Sequence, residues 1–309
     1  MTAGAGEMPG TSAGSGTLSA MAQARRILVC GLGLMGHGIA QVMAAAGHTV
    51  RVYEPERARA DAGVERISGN LDRSVAKGRI VAEDREAALA RISIVESVEE
   101  GARGIDLAVE AVFEDEAVKR DLFVRLDRAA PPPAILATNT SSISISRIAE
   151  ATSPARRPQV VGMHFFSPAP VMPLVELVRG AETSDATEAT VRDIASELGK
   201  QVIVSADRPG FLVNRVLMPF LAEAMRLYQE GTGTAEDIDT GARVGLAHPM
   251  GPLALADFIG LDVCLSIMNV LHDGLGQEHF APPRVLVELV AAGHLGQKTG
   301  RGFYVYPRD

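Results

Sequence analysis

Two groups of residues in this chain of 309 have types and spacings that can do chemistry. The first is Gly31-Leu32-Gly33-Leu34-Met35-Gly36, a G-x-G-x-x-G run lying between an apolar segment and a helical one. In that setting the first glycine makes a tight turn and the second lets the backbone approach a pyrophosphate. The third allows close helix packing, and the helix N-terminus faces the phosphates. Glu54 stands 23 positions after Gly31, where a carboxylate accepts both ribose hydroxyls and repels a 2′-phosphate. The pattern predicts NAD on Gly31, Gly33, Leu34, Met35, Gly36 and Glu54, in preference to NADP. Arg51 and Arg57, close by in sequence, keep NADP open. The second group is His164, ending the apolar run Val160–Met163, with Glu176 inside the next run, Leu174–Val178. If these runs are antiparallel neighbours, the glutamate fixes the imidazole tautomer and makes the other ring nitrogen a base. Such a base can remove a hydroxyl proton while hydride leaves the same carbon. From spacing alone, a buried histidine satisfied by a backbone carbonyl is the commoner case. The other histidines form no ligand-spaced cluster, so no metal site is expected.

Hydrophobic periodicity indicates which elements hold these groups. Ile27–Cys30 and Thr49–Tyr53 read as strands flanking a helix over 34–46, a βαβ unit of a parallel sheet. Further helices are expected over 56–78, 116–129 and 185–198. Strands are expected near Ile92–Val95, Ile105–Val109, Ala134–Ala137, Val160–Met163, Leu174–Val178 and Val202–Val204. After Asp207-Arg208-Pro209-Gly210 the texture becomes helical, over 211–229, 235–244, 252–272 and 282–292. The fold class is therefore α/β, a Rossmann-type dinucleotide-binding domain followed by an all-helical C-terminal domain. The expected divisions are a Gly/Ala/Ser/Thr-rich disordered leader over 1–24, the NAD-binding domain over 25–205, and a helical domain over 206–309.

Composition narrows the function classes. A net charge of −8 argues against a broad nucleic-acid surface. The most apolar stretch, Pro252 to Leu271, is interrupted by Asp257 and Asp262, so no membrane span is expected. Two cysteines, Cys30 and Cys264, are too few for a disulfide framework and predict a reducing, cytoplasmic setting.

From Arg26 to Pro307 the chain resembles the L-3-hydroxyacyl-CoA dehydrogenase family, particularly its short bacterial 3-hydroxybutyryl-CoA members. The resemblance rests on Gly-Leu-Met-Gly at 33–36, Asn139-Thr140-Ser141-Ser142, Gly162-Met163-His164-Phe165-Phe166, and Pro173-Leu174-Val175-Glu176. It also rests on Pro209-Gly210-Phe211-Leu212-Val213-Asn214-Arg215, His248-Pro249-Met250-Gly251-Pro252, and the run Gly296 to Tyr304. It implies His164 as catalytic base, Glu176 as its orienting partner, and Ser141 and Asn214 on the reacting substrate. Glu114, Lys119 and Lys298 match family residues near the cofactor. From position alone, Ser141 reads as a helix N-cap, Asn214 as a cap or buried amide, Glu114 and Lys119 as a solvated helix face, and Lys298 as a turn lysine. Asn70 to Arg79 resembles the helical arm that contacts coenzyme A, with Lys77 and Arg79 as phosphate partners, though a solvated charged face fits as well. Ser167 departs from the family, which usually has Asn there. A hydroxyl is shorter and less directional than an amide, so altered cofactor or substrate affinity is expected, with activity retained.

The implied reaction is reversible NAD-dependent oxidation of a short-chain (S)-3-hydroxyacyl-CoA, of the 3-hydroxybutyryl-CoA type, to the 3-ketoacyl-CoA by a homodimer. Three rivals are the same chemistry on an acyl-carrier-protein thioester, oxidation of a free hydroxy or sugar acid, and an NAD-binding protein without turnover. Binding NAD alone requires neither His164 nor Glu176, which argues against the last.

Overall fold

Strand β1 (Arg26–Cys30) is buried from Ile27 onward, so both of its faces need a covering layer. A computed structural model describes residues 24–307 and shows those layers. The leader expected over 1–24 lies outside the described residues, apart from Ala24. After β1 come α1 (Gly36–Ala45), β2 (Thr49–Tyr53), α2 (Arg57–Ala76), α3 (Ala82–Ala90), β3 (Ile92–Ile94), α4 (Val98–Gly101) and β4 (Leu107–Glu110). They are followed by α5 (Glu116–Ala129), β5 (Ile135–Thr138), α6 (Ile145–Ala149), β6 (Val160–Phe165), β7 (Leu174–Arg179), α7 (Asp185–Glu197) and β8 (Gln201–Ala206). The eight strands form one sheet in the order β3-β2-β1-β4-β5-β6-β7-β8. It is parallel from β3 to β6; β7 then runs antiparallel to β6, and β8 is parallel to β7. Strand order reverses between β1 and β4, and the crevice outside their carboxyl ends is where such sheets bind ligands.

Alternation along the strands sends side chains to two cores. Ile27 and Val29 join Ile39, Met43, Ile67, Leu71, Val191 and Ile194 on one face. Leu28 joins Val98, Leu122, Phe123, Leu126, Ile145 and Ile148 on the other. Each fully buried Leu or Ile stabilises by about 1.5–3 kcal/mol relative to exposure. The remainder is helical: α8 (Val213–Gln229), α9 (Ala235–Thr240), α10 (Pro252–Ile259), α11 (Leu261–Leu275) and α12 (Arg284–Ala291). These share a third core around Met218, Leu221, Met225, Leu253, Cys264, Met268 and Leu286.

Three expectations are corrected. The single helix expected over 252–272 is two, bent by 97° at Gly260, whose φ of +104° cannot continue a helix. No single helix among the described residues is long and apolar enough to cross a membrane, and the bent pair buries its apolar faces in the helical core. The helix expected over 235–244 stops at Thr240 and continues as a wider turn to Gly245. Helix α3 was unexpected because its four charged residues are consecutive and only Ala88 is buried, so no apolar stripe marks it. Asp257, read as an interruption in an apolar run, anchors the chain's last described segment. Its carboxylate accepts from the Phe303 and Tyr304 backbone N–H and the Tyr306 hydroxyl, each at 3.0 Å.

Candidate active site

The glycine loop follows β1 at the sheet's reversal point. Gly31 has φ +93°, and a side chain there would lie 2.5 Å from the Ala111 carbonyl oxygen at the end of β4. A side chain at Gly36 would strike the Gly31 carbonyl, whereas Gly33 has open space above it. The first turn of α1 has no acidic residue and no side-chain cap, so its backbone N–H groups remain available to an anion. Leu34 is 73% exposed at the rim, beside Met35 at the helix start. Glu54 Oε2 accepts from the Leu32 N–H at 3.0 Å, placing a carboxylate beside the loop. Arg51 donates to the Gly101 and Arg103 carbonyls, and Arg57 is paired with Asp61 and Glu96. Neither arginine stands ready for a 2′-phosphate, and the loop fits NAD.

His164 and Glu176 are directly paired across the antiparallel β6–β7 ladder. The imidazole Nδ1 lies 3.1 Å from Glu176 Oε2, with both side chains buried. With a carboxylate as partner, Nδ1 carries the proton and Nε2 is left with its lone pair. The other carboxylate oxygen, Oε1, accepts from the Leu212 N–H at 2.7 Å. The rings of Phe166 and Phe211 lie 4.6 and 6.0 Å from the imidazole, centroid to centroid. Phe211 has φ +48°, a conformation unusual for an aromatic residue, exactly where the chain leaves the α/β half for α8.

The loop after β5 brings Ser141 and Asn214 together: Asn214 Nδ2 donates to the Ser141 carbonyl at 3.4 Å. Ser144, not Ser141, caps α6, accepting from the Arg147 N–H, so capping does not account for Ser141. Asn139 of the same loop accepts from the Phe165 N–H at 2.8 Å, beside His164. Glu114 Oε1 accepts from the Ser141 and Ser142 N–H groups and from the Thr140 and Ser142 hydroxyls. Burial pushes the Glu114 carboxyl upward, but Lys119 and these donors outweigh it and hold it below its ordinary value. The solvated-face reading is corrected for Lys119, which is 1% exposed, its ammonium 2.6 Å from Glu110 and 3.2 Å from Glu114, whose own side chain stays 39% exposed. Glu110 escaped the sequence reading because it directly follows an apolar strand run. A lysine five positions after one carboxylate and nine after another was the signal available.

Lys77 and Arg79 line a cavity of about 310 Å³ together with Leu34, His37, Asn70, Arg73, Ser167 and Val171. The basic end of α2 thus meets both the glycine loop and the segment following His164. His37, Asn70 and Arg73 were not singled out from sequence. The Lys298 ammonium is paired with Asp262 on α11, at 2.5 and 2.6 Å from the two oxygens.

A dinucleotide loop at the reversal of a parallel sheet, with a carboxylate-oriented histidine on the same sheet, defines an NAD-binding oxidoreductase. Residues 26–208 match the 3-hydroxyacyl-CoA dehydrogenase NAD binding domain, and residues 210–306 match the 3-hydroxyacyl-CoA dehydrogenase C-terminal domain. The chain is 47% identical to a 3-hydroxybutyryl-CoA dehydrogenase of Bradyrhizobium diazoefficiens over 91% of this chain and 95% of that one. It is 45% identical to one from Mycobacterium tuberculosis, covering 91% of this chain and 98% of that one. The crystal structure of (S)-3-hydroxybutyryl-CoA dehydrogenase from Ralstonia eutropha superposes with a TM-score of 0.88 at 42% identity, covering 92% of this chain and all (100%) of that one. The chain belongs to the 3-hydroxyacyl-CoA dehydrogenase family.

Proposed function

We propose that the protein catalyses the reversible oxidation of an (S)-3-hydroxyacyl-CoA, of the short 3-hydroxybutyryl type, to the 3-ketoacyl-CoA. The observation that carries this is the His164–Glu176 pair, 3.1 Å apart on neighbouring strands and beside the Ser141–Asn214 contact. His164 Nε2 takes the C3 hydroxyl proton, and Glu176 stabilises the imidazolium that results. The Ser141 hydroxyl and the Asn214 amide hold the reacting oxygen and the thioester, so that the path of the proton is set by positioned donors. NAD, when bound along the glycine loop with Glu54 at its ribose, supplies the hydride acceptor. In the reverse direction the protonated imidazole is the acid. Lys77 and Arg79, on the cavity that reaches Ser167, hold coenzyme A phosphates. The substrate cleft lies between the α/β half, 25–205, and the helical half, 206–309.

The working form is a homodimer. Phe220 and His248 stack with centroids 5.0 Å apart, drawing the 244–250 segment onto α8. Val216, one turn before Phe220, is 75% exposed and Val244 is 80% exposed. Leu246 and Met250 add to this apolar face, and a second copy covers it. Cys30 and Cys264, both buried free thiols in separate cores, fit a reducing cytoplasm.

The test is acetoacetyl-CoA reduction followed by NADH absorbance, with NADPH and free acetoacetate in parallel. Turnover with NADH and the CoA ester alone is expected. Reduction of free acetoacetate at a comparable rate overturns the substrate assignment, and turnover restricted to NADPH overturns the role of Glu54.

A further inference from the structure

We propose that Glu110 is a positioning residue for this reaction, holding the Asn139–Ser142 loop in register through a closed ring of side chains, of which Glu110, Lys119, Thr138 and Thr140 are buried and Glu114 is 39% exposed. Glu110 is 0% exposed at the end of β4. Its Oε1 accepts from Lys119 Nζ at 2.6 Å, and that ammonium lies 3.2 Å from Glu114 Oε2. Glu114 Oε1 accepts from the Thr140 hydroxyl at 2.5 Å. The Thr140 N–H donates to Thr138 Oγ1 at 3.2 Å, and the Thr138 hydroxyl donates back to Glu110 Oε2 at 2.6 Å. The ring therefore runs from the end of β4 through the first turns of α5 to the loop after β5 and returns. The inference rests on the reading of Ser141 as a substrate contact.

Charge compensation makes Glu110 matter at a distance. A buried ammonium needs carboxylate partners, and Lys119 has two, one of which has a second duty. Glu114 gives one oxygen to Lys119 and the other to the Ser141 and Ser142 backbone and the Thr140 and Ser142 hydroxyls. Removing the Glu110 charge leaves the ammonium to Glu114 alone and pulls that carboxylate off the loop. Three site contacts hang from this loop: the Ser141 hydroxyl itself, the Ser141 carbonyl on Asn214, and Asn139 on the backbone of Phe165. Glu110 thus acts on reacting groups that it never touches.

The experiment combines Glu110→Gln with Ser141→Ala in a double-mutant cycle, and follows hydrogen exchange over residues 139–143 by mass spectrometry. Glu110→Gln is expected to lower kcat about tenfold or more, since small misplacements of reacting groups are that costly, with a smaller change in the KM for NADH. Exchange over 139–143 should rise while that of α11 stays as in the parent. On the Ser141→Ala background the further loss from Glu110→Gln should be smaller than in the parent, since the part carried by the Ser141 hydroxyl is gone while the Ser141 carbonyl and Asn139 contacts remain. Unchanged exchange in the loop overturns the proposal, as does a loss that multiplies in full on Ser141→Ala. Thr138→Val opens the same ring without altering charge, and replaces Glu110→Gln if that variant does not fold. Full activity of Ser141→Ala alone refutes the substrate role of Ser141, and the exchange result then decides the ring by itself.

Discussion

His164 and Glu176 face each other across an antiparallel ladder, where opposed side chains are held at close and fixed separation. In the proposed reaction the imidazole therefore needs little reorganisation to take a proton, and the carboxylate beneath it would stabilise the charge that develops. His164→Gln removes the base and leaves the glycine loop intact. It should lower kcat by about 10²–10⁴-fold, the usual contribution of a positioned base, and shift the NADH dissociation constant by less than threefold, about the context scatter of such contacts. Stopped-flow turnover and NADH fluorescence titration check the two halves of this expectation; comparable losses in both count against His164 as the base. Glu54 acts separately on the cofactor. Glu54→Gln should narrow the preference for NADH over NADPH, read as the ratio of kcat/KM values, by removing the charge that repels a 2′-phosphate. The glycine loop and Glu54 are legible in sequence because type and spacing suffice to state their chemistry, whereas for His164 and Glu176 the spacing left a backbone-satisfied histidine open until the β6–β7 pairing placed them opposite each other. Glu110 and Lys119 are not legible, because a lysine on an amphipathic helix gives no local sign that its ammonium turns inward onto a strand end. Ser141 was ambiguous until Ser144 proved to be the cap of α6.

Helix α5 ends against a turn organised by one buried arginine. Arg156 donates to the carbonyls of Ala130, Pro131, Pro132 and Ala134, and its charge is balanced by Asp127, 3.0 Å away near the end of α5. Asp127 also accepts from the Ser153 N–H at 2.7 Å. Burial raises the Asp127 carboxyl, but the Ser153 donors and Arg156 outweigh it and leave it below its ordinary value. A depressed folded-state value means stability that is present above the unfolded carboxylate range, about pH 4, and is lost as pH falls through the folded value. Asp127→Asn should therefore cost about 1–3 kcal/mol at neutral pH, and the gap to the parent should close in stronger acid. Urea denaturation at both conditions measures it; a gap independent of pH would show that the carboxylate charge contributes nothing. Elements whose residues bury one face, such as α5 and the strands β1, β6 and β7, were readable from periodicity. The break at Gly260 was not, since Leu255, Ile259, Cys264 and Ile267 continue an apolar pattern through a residue whose φ alone ends the helix. Helix α3 was hidden for the opposite reason, having almost no buried face to leave a pattern.

The two halves of the chain meet at a junction tied into both. Asp207 accepts from the Ser144 and Ser146 hydroxyls and from the Ile145 and Ser146 N–H groups at the start of α6. Five residues later the Leu212 N–H donates to Glu176, the same carboxylate that orients His164. Phe211, between them, packs into the core of the α/β half while the chain turns toward α8. The helical half is thus fixed to the catalytic pair at its first turn, and Asn214 follows directly on α8. Beyond Asn214 the same helix leaves Val216 exposed, and Leu246 is exposed as well. An apolar face of this kind on a helix that also carries a site residue costs solubility unless something covers it. If a second copy does so, Leu246→Glu places a desolvated charge in the contact and should convert the dimer to monomer at micromolar concentration, read by sedimentation velocity. The monomer should retain NADH binding, because the glycine loop and Glu54 lie wholly in the α/β half. Its kcat should fall only so far as α8 shifts Asn214. A Leu246→Glu protein that sediments as the parent does would remove this face from the interface, and a parent that is already monomeric would remove the dimer itself.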